Sequence, residues 1–173
     1  RRRINKFALE TVGDISWPEH CTIFTVPVKA SVFMKIPLLI WGESAENEIG
    51  GPINSLDSNV LDRRWLEEFG GLLGLRTNDM ADILQIPKEK LIMYTYPTDN
   101  ELKKNETKGL FLGQFLPWDG QQNAIIAEKY GFKSYKKDVE GSIVNYENLD
   151  NVYMRVHDYF KFLKYGYDRV TDW

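Results

Sequence analysis

Carboxylates and glycines crowd one segment of the sequence, directly after an apolar run at residues 36–41 (IPLLIW). The segment contains Gly42, Glu43, Glu46, Glu48, Gly50 and Gly51. Clustered carboxylates can bind Mg²⁺ together with phosphate, or accept hydrogen bonds from sugar hydroxyls. Glycines let the backbone come close to a ligand. The same residues are also typical of a solvent-exposed acidic loop, so the segment predicts either a ligand-binding loop or an ordinary one.

A second group with chemical potential is the sequence Glu19-His20-Cys21. An adjacent imidazole and thiol suggest metal binding or nucleophilic catalysis. A tetrahedral zinc site, however, usually takes closely spaced pairs of ligands, and the chain has no second cysteine and one other histidine, His157. We therefore expect no metal site. His20 is expected to donate to a ligand or to cap the structure, and Cys21 to be a small buried apolar residue.

Two further groups, Trp118-Asp119 and Arg169, could contact a ligand. An aromatic ring beside a carboxylate occurs where sugars stack on the ring, and it is equally common in ordinary loops. Arg169 follows a bend at Gly166, and its guanidinium group can match a phosphate through two parallel hydrogen bonds. The sequence contains none of the complete glycine-rich phosphate-binding, serine-hydrolase or zinc-protease motifs.

Hydrophobic periodicity predicts the elements that would position these groups. A first helix occupies residues 1–12 and ends at Gly13. A buried helix is predicted within residues 21–35. Because Pro27 interrupts its pattern, we expect a kink there or a late start capped by Thr25.

Further helices are predicted at 60–71, 77–86, 118–132 and 148–167, the first of them ending at Gly70-Gly71 and the second capped by Thr77 or Asn78. Two short apolar runs, residues 37–43 and 110–116, are predicted to be strands that are buried on both faces. Helices that alternate with such strands indicate an α/β fold with parallel strands. Ligands bind beyond the carboxyl ends of the strands in these sheets. We therefore expect Gly42–Glu43 and Trp118–Asp119 to lie at one edge of the sheet.

Composition sets the broad class of protein. The chain has 173 residues and a net charge of −3, so we expect a single α/β domain over residues 1–173 and no nucleic-acid binding, which usually needs a basic face. No apolar run is long enough to predict a membrane span. A single cysteine favours the cytoplasm. The chain opens with RRRIN and no methionine, so it is expected to be a fragment of a longer protein.

Six segments, taken in order, carry a family resemblance. They are WPEHCTIFTVPVKASVFMKIPLLIWGE, LDRRWLEEFGGLLGLR, YTYPTDNEL, GLFLGQFLPWD, YENLDN and HDYFKFLKYGYDRVTD. Together they resemble the N-acetyl sugar amidotransferase family of bacterial surface-polysaccharide synthesis, which belongs to the PP-loop ATP-pyrophosphatase group. The resemblance spans nearly the whole chain. It implies a partial Rossmann-like fold (PP-loop ATPase or HUP-type), in which helices flank a parallel sheet. The N-terminal part of the fold, with the ATP loop, is missing, so the resemblance implies that this chain is the C-terminal portion of a longer amidotransferase.

The resemblance implies an ATP-dependent enzyme that converts the N-acetyl group of a nucleotide-linked sugar to an acetamidino group. The products would enter lipopolysaccharide O-antigen or flagellar sugars. In the family, ATP activates the amide oxygen as an adenylate and ammonia displaces AMP. Glutaminase and cyclase-like subunits that supply the ammonia are the implied partners. The alternative is a non-catalytic module that binds a nucleotide sugar or docks on the glutaminase.

The family's ATP site uses an N-terminal Ser-Gly-Gly-x-Asp-Ser loop, which this sequence lacks. The chain alone is therefore expected to hold neither ATP nor Mg²⁺ and to be inactive. His20 matches a family histidine at the start of the buried helix and is a further candidate. By position, the resemblance implies nucleotide or substrate contacts at Gly42, Glu43, Glu48, Gly50, Gly51, Trp118, Asp119, Arg169, Thr171 and Asp172.

Overall fold

The computed structural model describes residues 1–42, 73–139, 142–147, 149 and 153–166. This part of the chain is rich in helices and contains a small parallel sheet. Its α-helices are α1 (Arg2–Val12), α2 (Trp17–Met34), α3 (Thr77–Leu84), α4 (Asp99–Asn105), α5 (Gly120–Lys129) and α6 (Tyr153–Tyr165). Its strands are β1 (Leu38–Trp41) and β2 (Lys108–Phe111), and its 3₁₀ helices are Lys88–Tyr94 and Leu112–Gln114. The predicted helix at 60–71 lies outside the described residues.

Helix α1 forms as the sequence predicts. Ile4 and Ala8 are buried one turn apart, so they form the inner face of the helix. Gly13 ends the helix with a left-handed backbone (φ 66°), which costs glycine little because it has no Cβ. A Cβ at this position would lie in van der Waals contact with Phe160 at 3.4 Å and Lys164 at 3.6 Å, so α6 packs directly over this turn.

Helix α2 begins earlier than predicted. It starts at Trp17, with Pro18 in the first turn, where a missing backbone N–H is harmless. The predicted late start at Thr25 is wrong, because Thr25 is fully buried inside the helix. The helix continues through Pro27. Because proline has no N–H, the carbonyl of Ile23, four residues earlier, lacks its helical hydrogen-bond donor. Ile23 is on the exposed side of the helix, where water can donate to this carbonyl instead.

The two strands confirm a parallel pairing. Leu38 pairs with Lys108, and the ladder continues in register to Trp41 and Phe111, so the carboxyl ends of the strands lie side by side. Burial on both faces was wrong for β1, since Ile40 is 61% exposed. The strand predicted at 110–116 lies earlier in the structure, at Lys108–Phe111. It ends opposite Trp41, the last residue of β1, and the chain continues as the 3₁₀ helix Leu112–Gln114.

Three aromatic rings fasten this sheet to α2. Phe24 lies 6.0 Å from Trp41 and 6.3 Å from Phe111, measured between ring centroids, and the two strand residues are 6.1 Å apart. All three rings belong to one hydrophobic core, together with residues of α1, α3 and the 3₁₀ helix Lys88–Tyr94. Tilted and edge-to-face aromatic pairs of this kind add to the energy of burial. The last residue of each strand is therefore held against the middle of α2.

Local capping sets the ends of α3 and α4. The predicted cap of α3 at Thr77 or Asn78 is wrong, because Arg76 occupies the N-cap and its backbone N–H donates to Asp79 at 3.1 Å. Helix α4 was not predicted. Thr98 caps it by accepting the Glu101 N–H at 3.3 Å, while the Glu101 carboxylate accepts the Thr98 N–H at 2.8 Å. This reciprocal pair is a capping box.

None of the helices in the described ranges is both long enough and apolar enough to cross a lipid bilayer.

Replacing Phe24 with alanine is expected to lower the free energy of unfolding by about 3–5 kcal/mol, because a buried ring is removed from both strand ends. The matched control is Phe33→Ala on the same helix, whose ring is 88% exposed. The control should change stability by less than about 0.5 kcal/mol. Urea denaturation measures both values, and equal losses would contradict the role of the Phe24 contact.

Candidate functional site

The junction between α1 and α2 holds a buried carboxylate. The side chain of Asp14 is only 3% exposed. Its Oδ1 accepts the backbone N–H of Ser16 at 2.7 Å, the short-range bond by which aspartate stabilises a turn. The Gly13 turn and this bond together fix the direction of the carboxylate before any other element contacts it.

Helix α2 brings the first histidine to this carboxylate. The Nδ1 atom of His20 lies 2.8 Å from Oδ2 of Asp14. An ionised carboxylate can only accept hydrogen bonds, so His20 donates its Nδ1–H to Asp14. The sequence left two roles open for His20, a ligand contact and a structural cap. In the structure its imidazole holds the residue that orders the start of α2.

Helix α6 brings the second histidine from the far end of the chain. The Nδ1 atom of His157 lies 3.4 Å from the other carboxylate oxygen, Oδ1 of Asp14. The two imidazole rings meet edge to face, with centroids 4.7 Å apart and planes at 69°. Each oxygen of one buried carboxylate therefore faces a different imidazole. We call Asp14, His20 and His157 the histidine–aspartate cluster.

The electrostatics of the cluster keep Asp14 ionised. Burial alone would raise the pKa of this carboxyl, but hydrogen bonding to His157 and His20 and their charges outweigh burial, so the pKa lies well below its usual value. Lys164 is the nearby cation on α6, and its Nζ donates to the Val12 carbonyl at 3.2 Å. Burial lowers the pKa of Lys164, and the charge of Asp14 partly offsets this effect.

The three side chains of the cluster are ones that commonly bind metal ions. One candidate ligand atom from each residue can be chosen so that all three lie within 4.8 Å of one another. The expectation of no metal site was based on the sequence, in which no second cysteine or histidine lies within a few residues of His20 and Cys21 to complete a zinc-binding pair. Sequence reasoning missed the cluster because Asp14 was not among the candidate residues and most of the chain separates it from His157. A signal existed in retrospect, since the chain has only two histidines.

Cys21 is buried, as predicted. Its Sγ donates to the Tyr94 carbonyl at 3.2 Å and lies 3.7 Å from the Thr25 hydroxyl. Burial raises the pKa of the thiol to about 12, although the hydrogen bond with Thr25 acts in the opposite direction. The thiolate, which is the reactive form, is therefore scarce at neutral pH.

The second group of candidates follows the two strands in the chain, and no contact of Gly42 with Trp118 or Asp119 is observed among the described residues. Gly42 directly follows the last residue of β1, and a Cβ built on it would contact nothing within 4 Å. Trp118 is 37% exposed in the segment that follows β2. Asp119 is the N-cap of α5, where its Oδ1 accepts the Gln122 N–H at 3.0 Å. This carboxylate therefore has a structural role, as its predicted position near the helix start suggested.

A cleft of about 570 Å³ opens along α5, between this helix and residues of the segments 134–139 and 142–146. Its polar lining residues are Gln121, Glu128, Ser134, Asp138, Ser142, Asn145 and Tyr146. Burial and the charges of Glu147 and Asp119 raise the pKa of Tyr146, so its hydroxyl stays protonated at neutral pH. That hydroxyl is shielded from solvent and makes no hydrogen bond to the described residues. It is available as a donor to a ligand.

The remaining predicted contacts, Glu43, Glu48, Gly50, Gly51, Arg169, Thr171 and Asp172, lie outside the described residues. No model of a known protein family matches this chain, and no curated protein matches it. The functional interpretation therefore depends on the resemblance in sequence and on the geometry of the described residues.

Acid is expected to destabilise the protein through Asp14. Because its pKa is lower in the folded chain, the carboxylate contributes its full stability well above the ordinary value of 3.8 and loses it as the pH falls below that value. Asp14→Asn should cost about 1–3 kcal/mol near neutral pH, because it removes an acceptor from buried donors. It should also flatten the fall in stability at acid pH.

Urea unfolding over a series of pH values, in buffer with EDTA, measures this effect. The exposed Asp82→Asn on α3 is the matched control and should retain the wild-type pH dependence. An acid slope that is identical in Asp14→Asn and wild type would contradict the assigned electrostatics.

The Cys21 thiol is expected to resist a disulfide reagent such as DTNB in the native protein and to react fully after unfolding in urea. The release of the coloured thiolate measures both rates. Rapid, complete labelling of the native protein would show that Cys21 is accessible and ionised, contrary to its burial.

Proposed function

We propose that this chain is part of an ATP-dependent amidotransferase that acts on a nucleotide-linked N-acetyl sugar and converts the acetamido group to an acetamidino group. The six segments that resemble the N-acetyl sugar amidotransferase family support the reaction. The observation that carries the proposal is the cleft along α5, the helix that follows β2 in the chain. Ligands commonly bind beyond the carboxyl ends of parallel strands, and the proposal assigns the cleft to that side of the sheet.

The size and lining of the cleft suit a sugar. Pockets for small molecules commonly have volumes of roughly 300–1,000 Å³, and this cleft has about 570 Å³. Its carboxylates, Glu128 and Asp138, can accept hydrogen bonds from sugar hydroxyls. The protonated hydroxyl of Tyr146 can donate to a hydroxyl or to the acetamido oxygen. The ring of Trp118, partly exposed in the segment before α5, does not line this cleft.

The proposal assigns neither ATP nor Mg²⁺ to the described residues. The polar residues of the cleft include two carboxylates and no cation, which opposes phosphate binding. Asp119 is engaged in capping α5, and the Cβ position of Gly42 faces open space. In the family that this chain resembles, the pyrophosphate loop supplies the ATP site. Within the proposal, the two-stranded sheet is one part of the Rossmann-like sheet that carries that loop.

The proposed reaction consumes ATP and ammonia and releases AMP and pyrophosphate. The role of the described residues is to bind and orient the sugar so that its acetamido group faces the nucleotide. Ammonia would come from a separate glutaminase with its cyclase-like subunit, and the reaction would take place in the cytoplasm. The contact with the phosphates of the nucleotide sugar is assigned to Arg169 by the resemblance alone.

An assay of the full-length gene product with ATP, Mg²⁺, ammonium and a panel of nucleotide-linked N-acetylhexosamines tests the proposal. We expect AMP release that depends on the sugar, and a product in which one oxygen is replaced by NH in the mass spectrum. AMP release that does not depend on any sugar, or no AMP at all, would contradict it. Sugar-nucleotide binding without AMP would favour the non-catalytic module.

Variants of the cleft localise the sugar. Tyr146→Phe is expected to raise KM for the sugar about fivefold, because one hydrogen bond to the ligand contributes on the order of 1 kcal/mol. Tyr130→Phe is the matched control, because Tyr130 is 88% exposed and lies outside the cleft. An equal KM in Tyr146→Phe and Tyr130→Phe would place the sugar elsewhere.

A further inference from the structure

We propose that the histidine–aspartate cluster is a binding site for a divalent transition-metal ion, with Zn²⁺ as the preferred ion. The site would take one ion between Asp14 and the Nδ1 atoms of His20 and His157. This inference uses only the geometry of the cluster. It does not depend on the amidotransferase proposal or on the cleft along α5.

The spacing of the donor atoms is close to what a tetrahedral ion needs. Zn²⁺ bonds to nitrogen and oxygen are about 2.0–2.2 Å long, so tetrahedral ligand atoms lie roughly 3.3 Å apart. The two observed separations between imidazole nitrogen and carboxylate oxygen are 2.8 Å and 3.4 Å, and no two of the three candidate ligand atoms need be more than 4.8 Å apart. Small side-chain rotations therefore bring all three atoms to bonding distance.

The chemistry of the donors selects the class of ion. Two imidazole nitrogens and one carboxylate oxygen suit Zn²⁺ and its neighbours in the first transition row. Mg²⁺ and Ca²⁺ prefer sites made entirely of oxygen. A neutral histidine can move its ring proton from Nδ1 to Nε2, so each imidazole that now donates to Asp14 can become a ligand. The ionised carboxylate supplies the negative charge that balances the ion in part.

The surroundings of the cluster fit a metal centre with one open position. Three protein ligands leave a fourth place for water or a ligand oxygen, as in catalytic rather than structural zinc sites. His20 is 25% exposed and His157 is 16% exposed, which provides a path from solvent. The Ser16 N–H holds Oδ1 of Asp14 and thus orients a ligand from the second shell. The ammonium group of Lys164 is turned toward the Val12 carbonyl.

The test uses the 173-residue chain without a histidine tag, stripped of metal with EDTA and dialysed. Titration with ZnCl₂ in a calorimeter is expected to show one ion per chain, and CoCl₂ is expected to produce the visible absorption of a tetrahedral or five-coordinate site. His20→Gln and His157→Gln should each weaken binding by at least about tenfold, since even second-shell changes have effects of this size. Zn²⁺ should raise the melting temperature of wild type and not that of the variants.

Two matched controls separate the cluster from other donors. Cys21→Ser removes the one thiol in the chain, and Asp82→Asn removes an exposed carboxylate. Both should bind as wild type does. No bound ion in folded wild type, or unchanged binding in both histidine variants, would overturn the proposal. If circular dichroism shows that the histidine variants are unfolded, the Co²⁺ form of wild type decides. Two paramagnetically shifted imidazole N–H signals in its NMR spectrum support the site, and the absence of such signals overturns the proposal.

Discussion

A carboxylate stays ionised away from water only when donors surround it, and this requirement organises the structure around Asp14. The backbone of Ser16 and the imidazoles of His20 and His157 meet the requirement from three segments of the chain. The turn after α1, the first turns of α2 and the last helix are therefore held at one point. Gly13 is part of the same constraint, because a Cβ there would lie in van der Waals contact with α6.

Helix α2 carries this constraint to the sheet. The residues at its start form the cluster, and Phe24 at its middle packs against the final residue of both strands. Near its end, the Ser31 carbonyl accepts a hydrogen bond from Asn105 at 3.3 Å, just before β2 begins. The edge of the sheet that precedes the cleft is thus built on the same helix as the cluster. The two candidate sites have different chemistry, one made of imidazole and carboxylate and the other of hydroxyl, amide and carboxylate groups.

Local patterns predicted much of the fold. The periodicity of α1, the glycine that ends it, the run that forms β1 and the Asp119 cap of α5 were all visible in the sequence. The box formed by Thr98 and Glu101 was equally visible and was overlooked. The start of α2 was misplaced because Pro27 was taken as a boundary, while Pro18 marked the true one. The cluster could not be predicted, because tertiary packing alone brings His157 to Asp14.

The most direct test of the constraint at Asp14 is long-range ¹⁵N–¹H NMR of the imidazole rings in the metal-free wild-type protein. We expect the Nδ1 atoms of both histidines to carry protons, with nuclear Overhauser contacts between the two rings, because both Nδ1 atoms face one carboxylate and the ring centroids are 4.7 Å apart. Two imidazoles with their protons on Nε2 and with no contact between the rings would contradict the central role of Asp14.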